Sequence, residues 1–317
     1  MEKVDILLAT YNGEKYLEAQ LDSILTQTYS NFRLLISDDY STDATREILQ
    51  RYKNKDDRII LYYQDKNLGV VKNFEFLLNK VENNYYMLSD QDDIWKKDKI
   101  EKSLKKIEET GAGLVYSDLE VVDENLNVIY ESYWKLKGFT KRANKYNTFE
   151  SFYLNNYVTG CTIISRKEFI KDILPLPNLS KYVLHDYWIT LMVSQKSKVV
   201  SISEPLIKYR QHKNNKIGSK RKSDELDSIE EIRKLFIDVK KEHFTVFIEN
   251  EDKFQDDKIR KLNKEALKYY EMLEDKKNFN FKGWGLFIKL YKYENFMYNV
   301  KNFLILNMPG LLKIFRK

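Results

Sequence analysis

Along the first 120 residues the apolar positions switch repeatedly between two periods. Val4–Ala9 is an apolar run of strand length, followed by Gly13, after which Leu17, Leu21, Ile24 and Leu25 recur at helical spacing. Phe32–Ile36 reads as a second strand, and Ser41 or Thr42 can cap a helix carrying Ile48, Leu49 and Tyr52. Ile59–Tyr63 is a third strand, with a helix after it marked by Val71, Phe74, Leu78 and Val81. Tyr85–Leu88, a charged helix over Lys96–Glu109 and a strand at Leu114–Ser117 continue the series. Strand and helix alternating through short connections predict an α/β fold, a mainly parallel sheet with helices on both faces. Residues 120–210 lose this regularity. They suggest a hairpin around Asn125, a loop near Lys137–Lys145 and a short strand after Gly160. From about Asp224 the pattern turns helical, with Leu226, Ile229, Ile232, Leu235, Phe236 and Val239 on one face.

Composition narrows the class. The 317 residues are 43% hydrophobic and 32% charged, enough apolar content for a core within a soluble body. Cys161 is the single cysteine, so no intramolecular disulfide can form, which suits a reducing compartment and a cytoplasmic location. The opening apolar run is too short for a signal peptide, and no run approaches the roughly 18 residues of a spanning helix. The net charge of +6 is uneven. Residues 1–204 carry 28 Lys/Arg against 31 Asp/Glu, and residues 205–317 carry 26 against 17. A basic tail behind a slightly acidic body points to an anionic partner, or else to a solvated Lys-rich helical surface.

In parallel sheets the ligand sits beyond the carboxyl ends of the strands. Four polar clusters fall there: Thr10-Tyr11-Asn12-Gly13, Ser37-Asp38-Asp39-Tyr40-Ser41, Asn67-Leu68-Gly69 and Ser89-Asp90-Gln91-Asp92-Asp93. A single such cluster is an ordinary helix cap. Four at successive strand ends crowd carboxylates into one crevice, and a divalent cation would relieve the repulsion. Asp90 and Asp92 lie two apart on an extended segment and so point to one side. Their oxygens suit Mg²⁺ or Mn²⁺ shared with substrate phosphates. No glycine-rich phosphate loop follows strand one, which leaves phosphate neutralisation to a metal and favours a nucleoside diphosphate leaving group.

The stretch from Ala9 to Leu17, the stretch from Ser23 to Tyr29 and Ser37-Asp-Asp-Tyr-Ser-Thr-Asp43 together resemble the amino-terminal half of family 2 glycosyltransferases. The likeness runs on through Asp90-Gln-Asp-Asp-Ile-Trp95, Thr159-Gly-Cys-Thr162, His185-Asp-Tyr-Trp188 and Tyr209-Arg-Gln-His212, covering about residues 4–220. The last two motifs are similar to those of bacterial rhamnosyltransferases of cell-wall and surface polysaccharide synthesis. The resemblance implies an inverting enzyme of the GT-A fold. Its nucleotide-binding half would span 1–118, its acceptor half 119–220, and a helical extension 221–317. It also implies site roles. Thr10, Tyr11, Asn12, Asp39, Asn67, Asp90 and Gly160 would bind the nucleotide-sugar, Asp92 and His212 the Mn²⁺ or Mg²⁺, and Asp186 would be the catalytic base. Trp95, His185 and Trp188 would meet the acceptor. Tyr40 departs from the pattern, where glycine or asparagine is usual. From the residues alone, Asp186 could equally cap the helix Tyr187–Val193, and the tryptophans could equally be core.

Residues 282–317 hold seven Lys/Arg, one acidic residue (Glu294) and an apolar stripe of Trp284, Phe287, Ile288 and Tyr291. That pattern fits a peripheral membrane anchor reaching a glycan or lipid-linked acceptor. It fits packing on the catalytic body or on a second subunit equally well. Two other functions compete. A nucleotidyltransferase would need basic residues gripping a triphosphate, and no such loop stands beside strand one. A nucleic-acid-binding protein would need interleaved basic and aromatic residues, whereas the paired aspartates repel phosphates unless metal is present. Nucleic acid is therefore not expected as a partner.

Overall fold

The computed structural model describes residues 2–140, 147–178, 180, 182–212, 228–274, 285 and 306. These fall into two compact units, one within Met1–Phe152, Asn156–Leu176 and His185–Ser219, the other within Tyr153–Asn155, Pro177–Leu184 and Lys220–Lys317.

The first unit is built on β1 (Val4–Thr10), β2 (Phe32–Asp38), β3 (Ile59–Tyr63) and β4 (Tyr85–Ser89), all parallel in the order β3-β2-β1-β4. Helices α1 (Leu17–Leu25), α2 (Thr45–Lys53) and α3 (Val70–Leu78) provide the crossovers. Strand β1 is buried on both faces, as its unbroken apolar run requires of a central parallel strand. Its one charge, Asp5, is fully buried and is held by Arg33 at 2.8 and 2.9 Å and by the Glu82 and Asn83 N–H groups. The sheet then changes direction. β8 (Ile164–Arg166) lies antiparallel between β4 and β6 (Leu114–Val122), and β9 (Val199–Arg210) runs parallel to β6. The two-residue β5 (Ile94–Trp95) closes that edge against β9, and β7 (Val128–Tyr130) forms a hairpin with β6 around Asn125. Helix α4 (Lys99–Thr110) ends at Gly111, whose φ of +62° is the left-handed cap that glycine adopts without strain.

Several elements differ from the sequence expectation. The twelve-residue β9 was not visible in the pattern because Pro205 interrupts it, and the β6–β9 register shifts at Asp118, the residue paired with Pro205. A short helix, α5 (Tyr133–Lys137), precedes the expected loop, its first turn capped by the Ser132 hydroxyl accepting from Lys135 N–H at 3.1 Å. α6 (Phe149–Leu154), α7 (Ile170–Ile173) and α8 (His185–Ser194) complete the elements before β9.

The second unit contains α9 (Ile229–Glu249) and α10 (Asp257–Glu274). Ser228 and Glu231 form a capping box at the start of α9, which sets its boundary. Phe244, Phe247, Phe254 and Tyr270 pack with Tyr153, whose hydroxyl reaches Asn263 Oδ1 at 2.5 Å. The amphipathic stripe of the basic tail lies outside the described residues. Among the described residues no helix is long and apolar enough to cross a membrane.

Candidate functional site

The four polar clusters meet along the carboxyl ends of β1 to β4. Thr10 ends β1 in register with Asp38 of β2, which is itself in register with Tyr63 of β3. Asp39 is buried, and both its oxygens accept backbone N–H groups of the next loop, from Leu68 at 2.6 Å and Gly69 at 2.9 Å. Asn67 Nδ2 donates to the Asp39 carbonyl at 3.3 Å. Asn12, at φ +46°, accepts from Thr42 N–H at 2.9 Å, while its own N–H donates to the Ser41 hydroxyl. The carboxylate of Asp39 and the amides of Asn12 and Asn67 therefore brace three loops against one another, leaving the Tyr11 ring 47% exposed above them.

Gln91 ties β4 to this group. Its Oε1 accepts from Tyr11 N–H at 2.8 Å and its Nε2 donates to the Tyr11 carbonyl at 3.0 Å. Gly13 leaves room for this clamp, because a Cβ there would stand 2.4 Å from Gln91 Oε1 and push the amide aside. Gly13→Ala is expected to leave the fold intact, since only the end of a side chain must move. Breaking the clamp should weaken nucleoside diphosphate binding about five- to tenfold, the worth of roughly one hydrogen bond. Calorimetric titration of the variant checks this, and wild-type affinity would remove the clamp from the site.

Beyond β4 the acids gather. Asp92 Oδ2 lies 2.8 Å from His212 Nε2, joining residues 120 apart in sequence. The imidazole packs against the Tyr16 ring, tilted by 36° with ring centroids 4.7 Å apart. Asp90 is half-buried, and burial followed by the neighbouring Asp92 and Asp186 raises its carboxyl to about 7. Asp93 is fully buried, accepts from Arg210 N–H at 3.2 Å and is pushed well above the usual carboxylate range by burial and its acidic neighbours. The buried Arg210 also donates to the Asp92 carbonyl at 2.8 Å and the Glu124 carbonyl at 2.6 Å, with its guanidinium 4.6 Å from the Tyr16 ring centroid. It thus ties the acidic segment to β9, and sequence reasoning gave it no role although it stands between Tyr209 and His212. Behind it, Lys99 is wholly buried 3.6 Å over the Trp95 ring, and burial lowers its ammonium to about 7. Nothing in the sequence distinguished it from the surface lysines of α4.

Among the described residues, two groups could be asked to hold a cation. Asp90, Asp93 and Cys161 each bring a ligand atom within 4.8 Å of the others. Burial holds the Cys161 thiol well above its usual range, and soft sulfur is a poor partner for the hard ions Mg²⁺ and Mn²⁺. The oxygen and imidazole nitrogen of Asp92 and His212 suit those ions better. The two already face one another as a hydrogen-bonded pair at 2.8 Å, and together would offer a cation one oxygen and one nitrogen.

Asp186 sits in the first turn of α8 rather than ahead of it. Its Oδ2 accepts from Gly160 N–H at 3.1 Å and its Oδ1 from Tyr187 N–H at 2.6 Å. Burial raises it to about 6, with the N–H bonds opposing. A Cβ on Gly160 would come within 3.3 Å of Asp186 Cβ and of His185 Nε2, so glycine allows this close approach. Cys161 lies in the turn after Gly160, not in the strand itself. The expected stacking of Trp95 and Trp188 on an acceptor is corrected by their 2% and 0% exposure: both rings are core, and Trp188 Nε1 donates to the Ile173 carbonyl. His185 is likewise buried, stacked on Phe74 at 4.2 Å.

The family profile described as Glycosyl transferase family 2 matches residues 5–174. The chain belongs to this family. It is a family 2 glycosyltransferase with the GT-A fold expected from its motifs. It is 33% identical over 223 residues to a dTDP-rhamnosyl transferase, RfbG, of Shigella flexneri, covering 67% of this chain and 74% of the relative. It is also 33% identical over 122 residues to a putative teichuronic acid biosynthesis glycosyltransferase, TuaG, of Bacillus subtilis, covering 38% of this chain and 48% of that one. In fold it is similar to S. aureus TarS 1-349, solved with UDP-GlcNAc, at TM-score 0.58 and 16% identity over 96% of this chain and 81% of that one. A mannosyltransferase from Pyrobaculum calidifontis, solved with GDP-Man and Mn²⁺, matches at TM-score 0.56 and 13% identity, over 99% and 87% of the two chains.

Proposed function

We propose that this glycosyltransferase is a metal-dependent inverting enzyme that moves rhamnose from dTDP-rhamnose to a glycan or lipid-linked acceptor in bacterial polysaccharide synthesis. The observation that carries the chemistry is the buried Asp186 carboxylate, held by the Gly160 and Tyr187 N–H groups, raised to about 6 and near enough to Asp90 to help raise its carboxyl. Likeness to RfbG supports the donor sugar. In this reading Thr10, Tyr11, Asn12, Asp39 and Asn67 frame the nucleoside, Asp90 and Gly160 border its sugar, and Asp92 with His212 holds the cation. The cation supplies positive charge against the diphosphate oxygens.

Asp186 accepts the proton of an acceptor hydroxyl. The freed oxygen pair bonds to the anomeric carbon as that carbon's bond to the diphosphate breaks, and the electron pair departs on the diphosphate. A base with a pKa near 6 is ionised at neutral pH yet still basic enough to draw a proton, as general-base catalysis favours. Attack opposite to departure inverts the anomeric centre. Incubating the protein with a panel of dTDP-, UDP- and GDP-sugars, with Mn²⁺ or Mg²⁺, tests the reading. Metal-dependent release of dTDP from dTDP-rhamnose in excess of the other donors is the expected result. Preferential turnover of another donor would overturn the rhamnosyl assignment and leave the family intact.

A further inference from the structure

Tyr40 holds a conformation that burial does not reward. Its φ of +67° lies in the left-handed region, which costs a side-chain-bearing residue roughly 1–2 kcal/mol. Asparagine tolerates this geometry, glycine adopts it freely, and tyrosine does neither. The backbone on each side is pinned. Ser41 N–H donates to Asp38 Oδ2 at 3.1 Å, and Asp39 N–H donates to the Thr10 carbonyl at 2.8 Å, so the chain must turn sharply here. In return the ring buries little, being 48% exposed. A strained residue whose side chain serves neither core nor capping is an outlier from which a functional role is inferred.

The surroundings say which role. Arg46 is fixed independently of Tyr40, donating to Asp38 Oδ2 at 2.6 Å and to the Gln64 carbonyl at 3.1 Å. Its guanidinium stands 5.6 Å from the Tyr40 ring centroid and 5.2 Å from that of Tyr63, which is 41% exposed. With Tyr11, exposed tyrosines stand at the carboxyl ends of three neighbouring strands, the edge where the loops braced by Asp39 meet. Strands β2 and β4 are two spacings apart, about 10 Å, which is of the order of the reach from a nucleobase across its ribose to a diphosphate at Asp90 and Asp92. We propose that Tyr40, steadied by Arg46, is a donor-binding residue that stacks on the base of the nucleoside diphosphate. This deepens the donor-site reading and rests on it.

The test measures Mn²⁺-dependent binding of dTDP, UDP, GDP and inorganic pyrophosphate to the full chain and to Tyr40→Gly, Tyr40→Asn and Tyr40→Phe, beside each melting temperature. Loss of a stacked base should weaken nucleotide binding by about 5- to 100-fold in the glycine and asparagine variants. Pyrophosphate binding should stay unchanged, melting temperature should hold or rise, and Tyr40→Phe should bind like the unchanged protein. Wild-type nucleotide affinity in Tyr40→Gly, or an equal loss for pyrophosphate, would overturn the proposal while leaving the donor site in place. If the unchanged protein binds none of the three nucleotides, the donor-site reading fails, and this proposal with it.

Discussion

Replacing Asp186 by asparagine is expected to lower sugar transfer by about 10²–10⁴-fold, the range for losing a positioned proton acceptor. Donor affinity should barely move, because the base meets the acceptor hydroxyl and not the diphosphate. The variant should stay folded because two opposed effects nearly cancel. The carboxylate accepts two N–H bonds, and an amide offers one acceptor, leaving an N–H facing its own NH₂ at a cost of about 1–3 kcal/mol. Against this, holding a charge whose pKa has risen from 3.8 to about 6 costs the native state roughly 3 kcal/mol at neutral pH, which asparagine removes. A melting temperature within a few degrees of wild type should therefore accompany the loss of turnover. Near-normal transfer would make Asp186 a helix-terminus residue only.

The same shift fixes the pH dependence. Transfer needs ionised Asp186, so the rate should climb as pH rises through about 6 and then level off. Stability moves the other way. Because the folded-state value lies above 3.8, the contribution of protonated Asp186 is complete below that pH and is lost as pH rises through about 6. Asp90 titrates nearby, so the comparison of the wild-type profiles with those of Asp186→Asn isolates the share of one carboxylate. A rate that is flat across pH 5 to 7, or that falls with rising pH, would count against the base.

Local pattern carried the nucleotide half of the fold because β1, β2 and β4 are buried on both faces and announce themselves as apolar runs. Their order placed four polar clusters on one rim without any knowledge of contacts. β9 stayed hidden since Pro205 and a register shift break its pattern, and with it went the route by which Arg210 reaches the acids. Long-range partners were illegible for a different reason. Asp92 and His212 can be named from a motif, yet only the β5–β9 pairing brings them together. The buried tryptophans show the converse limit. An aromatic beside a catalytic motif has the same letter whether it faces a sugar or, like Trp188, the Ile173 carbonyl in the core.

The two ligand sets predict opposite mutational patterns. If the cation belongs to Asp92 and His212, Asp92→Asn should abolish the metal-dependent part of nucleotide binding, a loss of at least about 100-fold. Changes to groups one shell further out already cost 10- to 100-fold. His212→Ala should weaken Mn²⁺ affinity less, since an imidazole is a neutral ligand and Asp90 remains nearby. Cys161→Ser should leave it unchanged, because soft sulfur adds little to the binding of a hard ion. A site at Asp90, Asp93 and Cys161 reverses the order, with Cys161→Ser the damaging change and His212→Ala silent. Titrating Mn²⁺ into each variant by paramagnetic resonance in the presence of dTDP reads bound metal directly and needs no turnover. Melting curves guard against mistaking lost folding for lost ligation. Full Mn²⁺ affinity in folded Asp92→Asn would remove the Asp92–His212 pair from the metal site and leave Asp90, Asp93 and Cys161 as the ligands to test next.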